Sequence, residues 1–326
     1  MLWLTTFIIL IGYLIECAYM GVIPVLAILK GAHYDYTTFG IPTFHVILVT
    51  FSSFWAVFVF HNYISQKKKH LLLCYIVCLS PAILIFNRGM FLLNLASSFF
   101  VLFMAVKNAK KLILKAAIFL IALLFLFGVA GNIRATGGES INDIILSVGQ
   151  ASESFKKSIV PDEFFWSYLY LTTPLATVQE TINAHPPSPF SLERLGAFIN
   201  WEFLPDFIAK RNIFFLQQQE HIDQVSYAFN VGTVYARSFA YFRWWGVIAM
   251  FFFIAAFNFL IILILPKKSI FFVTGISILN CLMLFNIFDN MFSFSGLSMQ
   301  LFYPVLFSLF PRVRLPFKAS DENEII

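Results

Sequence analysis

GNIRATGGES at 131–140 and PDEFFWSYLYLTTPLATVQETINAHPPSPFSLERLGAFINWEFLPDF at 161–207 decide how this chain is read. Both belong to one polar segment, from about Asn132 to Asn230, that holds 11 of the 17 acidic residues and six Lys and Arg. On either side of it the sequence runs in apolar stretches of bilayer length, each near the roughly 20 residues a spanning helix needs. Aqueous chemistry has most room in the polar segment.

The composition agrees with that division. The chain is 60% hydrophobic and 12% charged, with mean hydropathy +0.81. Soluble domains carry roughly 25% charged residues, so a soluble globular protein is excluded. The short alternating segments of a membrane barrel are absent. The expected class is an all-α polytopic membrane protein with eight spans, at 2–20, 43–64, 70–87, 89–106, 112–131, 244–265, 269–288 and 295–310. Residues 1–131 form a first group of five spans, 132–243 one large loop, and 244–326 a second group of three spans with a short tail. Asn87-Arg88-Gly89 makes the tight turn of a helical hairpin. The N-terminus lacks a basic n-region and an A-x-A site, so it reads as a first span and not as a removed signal.

Lysine and arginine in the short loops set the orientation. The loops at 67–69, 107–115, 267–268 and 312–318 hold twelve of them, whereas the opposite short loops hold only Lys30 and Arg88. Both termini and the basic loops are therefore expected in the cytoplasm, and the large loop on the outer face. This distribution accounts for the net charge of +5, and no nucleic-acid partner is implied. Within the loop, helices are expected at 162–183 and 191–217, separated by Pro186, Pro187 and Pro189. Phe164, Phe165, Trp166, Tyr168 and Tyr170 make the first too aromatic for free solvation, so the loop reads as a lid on the membrane helices.

Candidate site residues follow from charge. Arg88 at the hairpin apex and Arg134 in GNIRATGG offer planar forks that match phosphate oxygens, although an arginine at the membrane edge also snorkels without function. Arg194, Arg211, Arg237 and Arg243 add positive charge on the same side, where each also serves as an ion-pair partner. Acid–base candidates are Glu180, His185, Glu193, Glu202 and Asp206. Glu180 and His185 stand out as a catalytic pair beside the proline turn, against the plainer reading of His185 as a turn cap. Glu193 and Arg194 adjoin and point in different directions. Asp289 is expected at a helix end in water, and buried Glu16 is expected to meet a polar partner. Cys17, Cys74, Cys78 and Cys281 lie in apolar runs as small hydrophobes. No metal or cofactor motif occurs, and no internal repeat is visible.

Several stretches resemble bacterial O-antigen or polysaccharide repeat-unit polymerases. They are ECAYMGVIPVLAILKG at 16–31, YDYTTFGIPTFH at 34–45, the Asn87-Arg88-Gly89 turn, GNIR at 131–134, SYLYLTTPLATV at 167–178 and FNVGTVY at 229–235. Thr177 and Tyr241-Phe242-Arg243 depart from residues common at those places in the family. The resemblance implies a GT-C-like glycosyltransferase of the bacterial inner membrane, working at the periplasmic face without a cofactor. It implies that donor and acceptor are glycans on undecaprenyl pyrophosphate, with membrane lipid, a flippase and a chain-length regulator as further partners. Glu180 and His185 would act as catalytic groups, and Arg88, Arg134, Arg194, Arg211 and Arg237 would bind substrate. An O-antigen ligase, a flippase or transporter of the same lipid-linked glycan, and a structural membrane subunit are the other readings.

Overall fold

The computed structural model describes residues 2–29, 38–106, 146–147, 149–225 and 231–309, with scattered positions between 113 and 129. Among these residues every regular element is helical and no strand occurs. Helix α1 (Leu2–Met20) ends where Gly21 takes a positive φ, and Pro24 opens α2 (Pro24–Leu29). Pro suits a first helical turn because its missing N–H is unpaired there anyway. Then come α3 (Phe44–Gln66), α4 (Lys69–Leu84) and α5 (Arg88–Ala105). A hairpin is present, but its turn falls at 85–87 and not at Asn87-Arg88-Gly89: Phe86 takes a positive φ, and Asn87 caps α5, which opens at Arg88, its Oδ1 accepting from Met90 N at 2.9 Å. Within the polar segment lie α6 (Glu163–Ala184) and α7 (Leu192–Phe198), and beyond it α8 (Thr233–Ile264), α9 (Phe272–Phe285) and α10 (Phe302–Leu309).

Three helices, α1, α3 and α8, are long and apolar enough to cross a membrane, while α4, α5 and α9 are apolar but shorter. The stretch expected as one span at 295–310 is a helical turn at Ser295–Ser298, a 3-10 turn at Met299–Leu301 and α10, with Pro304 in its first turn. Of the span expected at 112–131, only scattered positions are described, and these are helical.

Helix α3 is the axis of the bundle and packs on α1, α4, α5 and α9. Phe54, Val57 and Phe58 on it are wholly buried. The rings of Phe54 and Phe58 pack with those of Phe271, Tyr303 and Phe307, at centroid separations of 4.8–6.2 Å. Ring pairs at such distances contribute beyond the area they bury. Polar pairs tie the same helices together: Tyr13 to Ser52 at 2.8 Å, Tyr75 to Ser98 at 2.9 Å, and Trp55 Nε1 to Thr6 at 3.1 Å. In an apolar surrounding such bonds and close packing replace the missing hydrophobic drive between helices. The four cysteines are all free and buried.

Glu16 finds its partner in His45. Its carboxylate is wholly buried, meets His45 Nδ1 at 2.8 Å and accepts from Ile41 N at 3.1 Å. This pair pins the turn at 39–43 back onto α1. Replacing His45 with alanine strands a buried carboxylate, so a loss of roughly 3–5 kcal/mol is expected. Thermal melting in detergent checks it: His45→Ala should melt lower, and adding Glu16→Gln should recover much of the loss.

Helix α6 follows the expected 162–183 closely, but the expected helix at 191–217 is corrected. It stops at a π-helical turn, Ile199–Phe203, and Pro205 then removes the amide a continuing helix would need. The chain doubles back beyond that point. Trp201 Nε1 donates to Phe215 O at 2.9 Å, and Asn200 Nδ2 to Ala209 O at 3.3 Å. Helix α8 is two helices joined at a break, with non-helical backbone at Phe242 (φ −138°) and Arg243 (φ 51°). The apolar run read as a span from 244 begins at that break.

Candidate functional site

Two polar clusters form where the segment 163–225 meets the first half of α8. The inner one is built on Glu202, in the π-helical turn. Such turns displace the side chains that follow them relative to a regular helix. Glu202 is 0% exposed. Asn290 Nδ2 donates to its Oε2 at 3.1 Å and to its backbone oxygen at 2.8 Å. Ser238 Oγ reaches the same carboxylate oxygen at 3.5 Å. The other oxygen, Oε1, faces Arg237 Nη1 at 3.7 Å, beyond hydrogen-bond range. Glu202 Oε1 and Arg237 Nε, both buried, have no hydrogen-bond partner among the described residues.

Electrostatics follow from that geometry. Burial penalises the charged form and pushes the Glu202 carboxyl up to about 7, against the opposing pull of Arg237 and the Asn290 hydrogen bond. Asp289, on the turn after α9, is half-buried and not free in water as expected. Burial raises it too, with Arg237 opposing. Asp206 goes the other way. Burial alone would raise it, but Lys210 and Ser295 outweigh that and hold it below its ordinary range. Ser295 Oγ and N both donate to Asp206, which fastens the segment to the residues after α9.

The outer cluster is a chain of ion pairs. Arg194 Nη2 meets Glu220 at 2.8 Å and donates to Ala240 O at 2.9 Å. His185 Nδ1 contacts Asp223 at 2.9 Å, and its Nε2 lies 3.8 Å from Glu220. Arg243 donates to His185 O at 3.0 Å and lies 5.0 Å over the Phe239 ring. Tyr241 links this cluster to the strap 216–225, donating to Gln218 O at 2.9 Å and accepting from Glu220 N at 3.2 Å.

The residues picked out by sequence are thus unevenly placed. Arg194 and His185 come together through Glu220, and Arg237 stands in the inner cluster. Glu180 is exposed and makes no hydrogen bond or ion pair among the described residues. Arg211 is exposed and reaches Thr43 Oγ1 at 2.5 Å, joining the segment to the turn before α3. The side chain of Arg88 and the whole of Arg134 lie outside the described residues. Glu202 is the residue that sequence reasoning left among the acid–base candidates behind Glu180 and His185. The one signal for it was a lone carboxylate inside the otherwise uncharged run INWEFL.

Chemically, the inner cluster offers a carboxyl group poised to hold or release a proton near neutral pH beside a permanent cation. The outer cluster holds its charges in mutual neutralisation. Among the described residues no group of three or more His, Cys, Asp or Glu could hold a metal ion. No family model, no curated protein and no solved structure matches the chain.

Proposed function

We propose that the chain is a membrane glycosyltransferase that joins oligosaccharide repeat units carried on undecaprenyl pyrophosphate into a surface polysaccharide. The observation that carries this reading is Glu202, wholly buried beside Arg237 with its carboxyl raised to about 7. A general base works best when its pKa lies near the operating pH. In the reaction, the acceptor hydroxyl attacks the anomeric carbon of the donor glycan. Its proton passes to Glu202, and the bond from that carbon to the carrier pyrophosphate breaks. Arginine at the site offsets the negative charge that gathers on the leaving pyrophosphate. Holding two lipid-anchored reactants in one groove supplies much of the remaining rate. The sequence resemblance and the polar segment between apolar helices support the same reading.

The finer architecture belongs to this proposal. It has eight spans with both termini in the cytoplasm, and residues 132–243 form a periplasmic lid in a GT-C-like arrangement. Reporter fusions test it. Fusions at Lys68, Lys110 and Lys267 are expected to report cytoplasm, and a fusion at Pro187 periplasm. A cytoplasmic signal at Pro187 would end this reading.

Deleting the gene separates the related activities. A polymerase defect leaves surface glycan with a single repeat unit on intact core lipid. A ligase defect leaves full-length polymer on the carrier lipid, and a flippase defect leaves single units on the carrier. Surface glycan gels with carrier-lipid analysis read the difference, and the first outcome is expected.

A further inference from the structure

Residues 208–216 form an exposed edge of the polar segment, and α3 fixes the height of that edge against a bilayer. Helix α3 has the length and hydropathy to cross a membrane. Its 23 residues rise about 34 Å, slightly more than the roughly 30 Å of hydrocarbon, so a crossing puts its two ends in opposite headgroup layers. Lys67, Lys68 and Lys69 mark one end and Thr43 the other. Arg211 donates to Thr43 Oγ1 at 2.5 Å and therefore stands at headgroup height, at the end away from those lysines.

The fold aims an apolar tip outward at this height. In the 3-10 turn Ile213–Phe215, the ring of Phe215 closes on Gly196, where a Cβ would come within 2.5 Å of its Cζ. The carbonyl of Phe215 accepts from Trp201 Nε1 at 2.9 Å. Three residues make one such turn, so the two side chains before Phe215 face away from it. Ile213 and Phe214 are accordingly 83% and 66% exposed. Lys210 and Arg211, both exposed, flank the tip, and no acidic residue occurs from 207 to 219. Lys210 pairs with Asp206 at 2.6 Å, whereas Arg211 bonds only Thr43 Oγ1 and Phe207 O among the described residues and meets no carboxylate.

An apolar tip flanked by cations at headgroup height has the chemistry of a membrane-surface anchor. We infer that Ile213 and Phe214 dip into the leaflet at this end of α3, while Lys210 and Arg211 bind the phosphates of anionic phospholipids. A second copy of the chain fits less well, because a two-fold contact sets the patch against itself and brings like charges face to face. The anchor replaces the substrate contact expected of Arg211. It needs the membrane reading of the chain and is independent of glycosyl transfer.

The test uses the full-length protein in nanodiscs of phosphatidylcholine, with and without phosphatidylglycerol. A nitroxide is attached to Ile213→Cys or Phe214→Cys, one position at a time. The four native cysteines are buried, and unsubstituted protein carried through the labelling is the blank. Collisions with oxygen, which concentrates in lipid, and with a water-soluble nickel chelate are read by electron paramagnetic resonance. Oxygen is expected to dominate at both positions, and nickel at Gln219→Cys beside the outer ion pairs. Phosphatidylglycerol is expected to raise the oxygen-to-nickel ratio at 213 several-fold, each cation near an anionic surface contributing about fivefold in binding. Lys210→Gln combined with Arg211→Gln is expected to abolish that rise; the comparison of the two lipids stands without this variant should it fail to fold. Nickel dominating at 213 and 214 overturns the anchor and leaves the tip in water. Exclusion of both reagents overturns it in favour of a second copy or another protein. A ratio that phosphatidylglycerol leaves unchanged overturns the headgroup role of Lys210 and Arg211. No glycan enters these measurements, so each outcome leaves the role of Glu202 to its own test.

Discussion

Replacing Glu202 with glutamine is expected to cut polymer formation by on the order of a hundredfold to ten-thousandfold, the range general-base catalysis supplies. The amide keeps the shape and the bond from Asn290 to the backbone of residue 202, so the protein is expected to accumulate normally. Polymer ladders from cells carrying Glu202→Gln should collapse to the single repeat unit, and ladders of wild-type length would remove Glu202 from the chemistry. The pH dependence gives a second reading of the same group. Its carboxyl rises from 4.5 to about 7 on folding, so the folded protein holds a proton that the unfolded chain releases. That contribution is complete below about pH 4.5 and is lost as pH climbs to about 7, roughly 3 kcal/mol in all. Melting temperatures of wild type and Glu202→Gln should therefore diverge between pH 5 and 8, with the variant gaining. On the proposed mechanism activity runs opposite to stability, because a general base works as the carboxylate, and wild-type turnover should climb through about pH 7.

Adding a single methyl group at Gly246 is expected to be the most damaging change to the fold. The break at Phe242 and Arg243 turns the second half of α8 back so closely that a Cβ on Gly246 would overlap the carbonyl oxygen of Ser238. That obstacle is backbone and cannot swing aside. Gly246→Ala must spread the two halves of α8, which also pulls Arg243 from His185 O and from the Phe239 ring. A loss of about 3 kcal/mol or more is expected, at the upper end for overpacking. Membrane levels measured with a fused reporter should fall sharply, and a larger residue such as valine should abolish accumulation. Gly275→Ala is the comparison, since the nearest atoms its Cβ would meet are side-chain atoms of Leu265 and Pro304. Equal levels for the two alanine variants would show that the two halves of α8 do not press together at this point.

The bundle was legible in the sequence because its signals are local. Asn87 next to Arg88-Gly89 marks a hairpin, though not its turn to the residue, whether or not its neighbours are known, and the aromatic run 163–184 declares a helix by itself. The break in α8 was half visible: an apolar run starting at 244 marked where a new helix begins, though nothing announced the helix before it. The inner cluster was not legible for a physical reason. The partners of Glu202 are Arg237, Ser238 and Asn290, between 35 and 88 residues away, and only the fold brings them together. A carboxylate is ranked by its surroundings, and the sequence alone put Glu180 and His185 ahead of Glu202. Arg194 shows the same limit, since its carboxylate is Glu220 and not the adjoining Glu193.

The first turn of α8 has its amides already engaged. Thr233 N donates to Phe288 O at 2.9 Å and Val234 N to Asn286 O at 3.0 Å, while Tyr235 N and Ala236 N are taken by Thr233 Oγ1 and Gly232 O. The carbonyls at the far end of α9 thus plug into the amides at the start of α8, and the negative pole of one helix cancels the positive pole of the other. A helix start with free amides is a ready cradle for phosphate; this one is spliced shut. Any phosphate that this protein grips beside the Glu202 cluster is therefore left to guanidinium groups, and a substitution of arginine by lysine there should be felt more than any change to the backbone around Gly232.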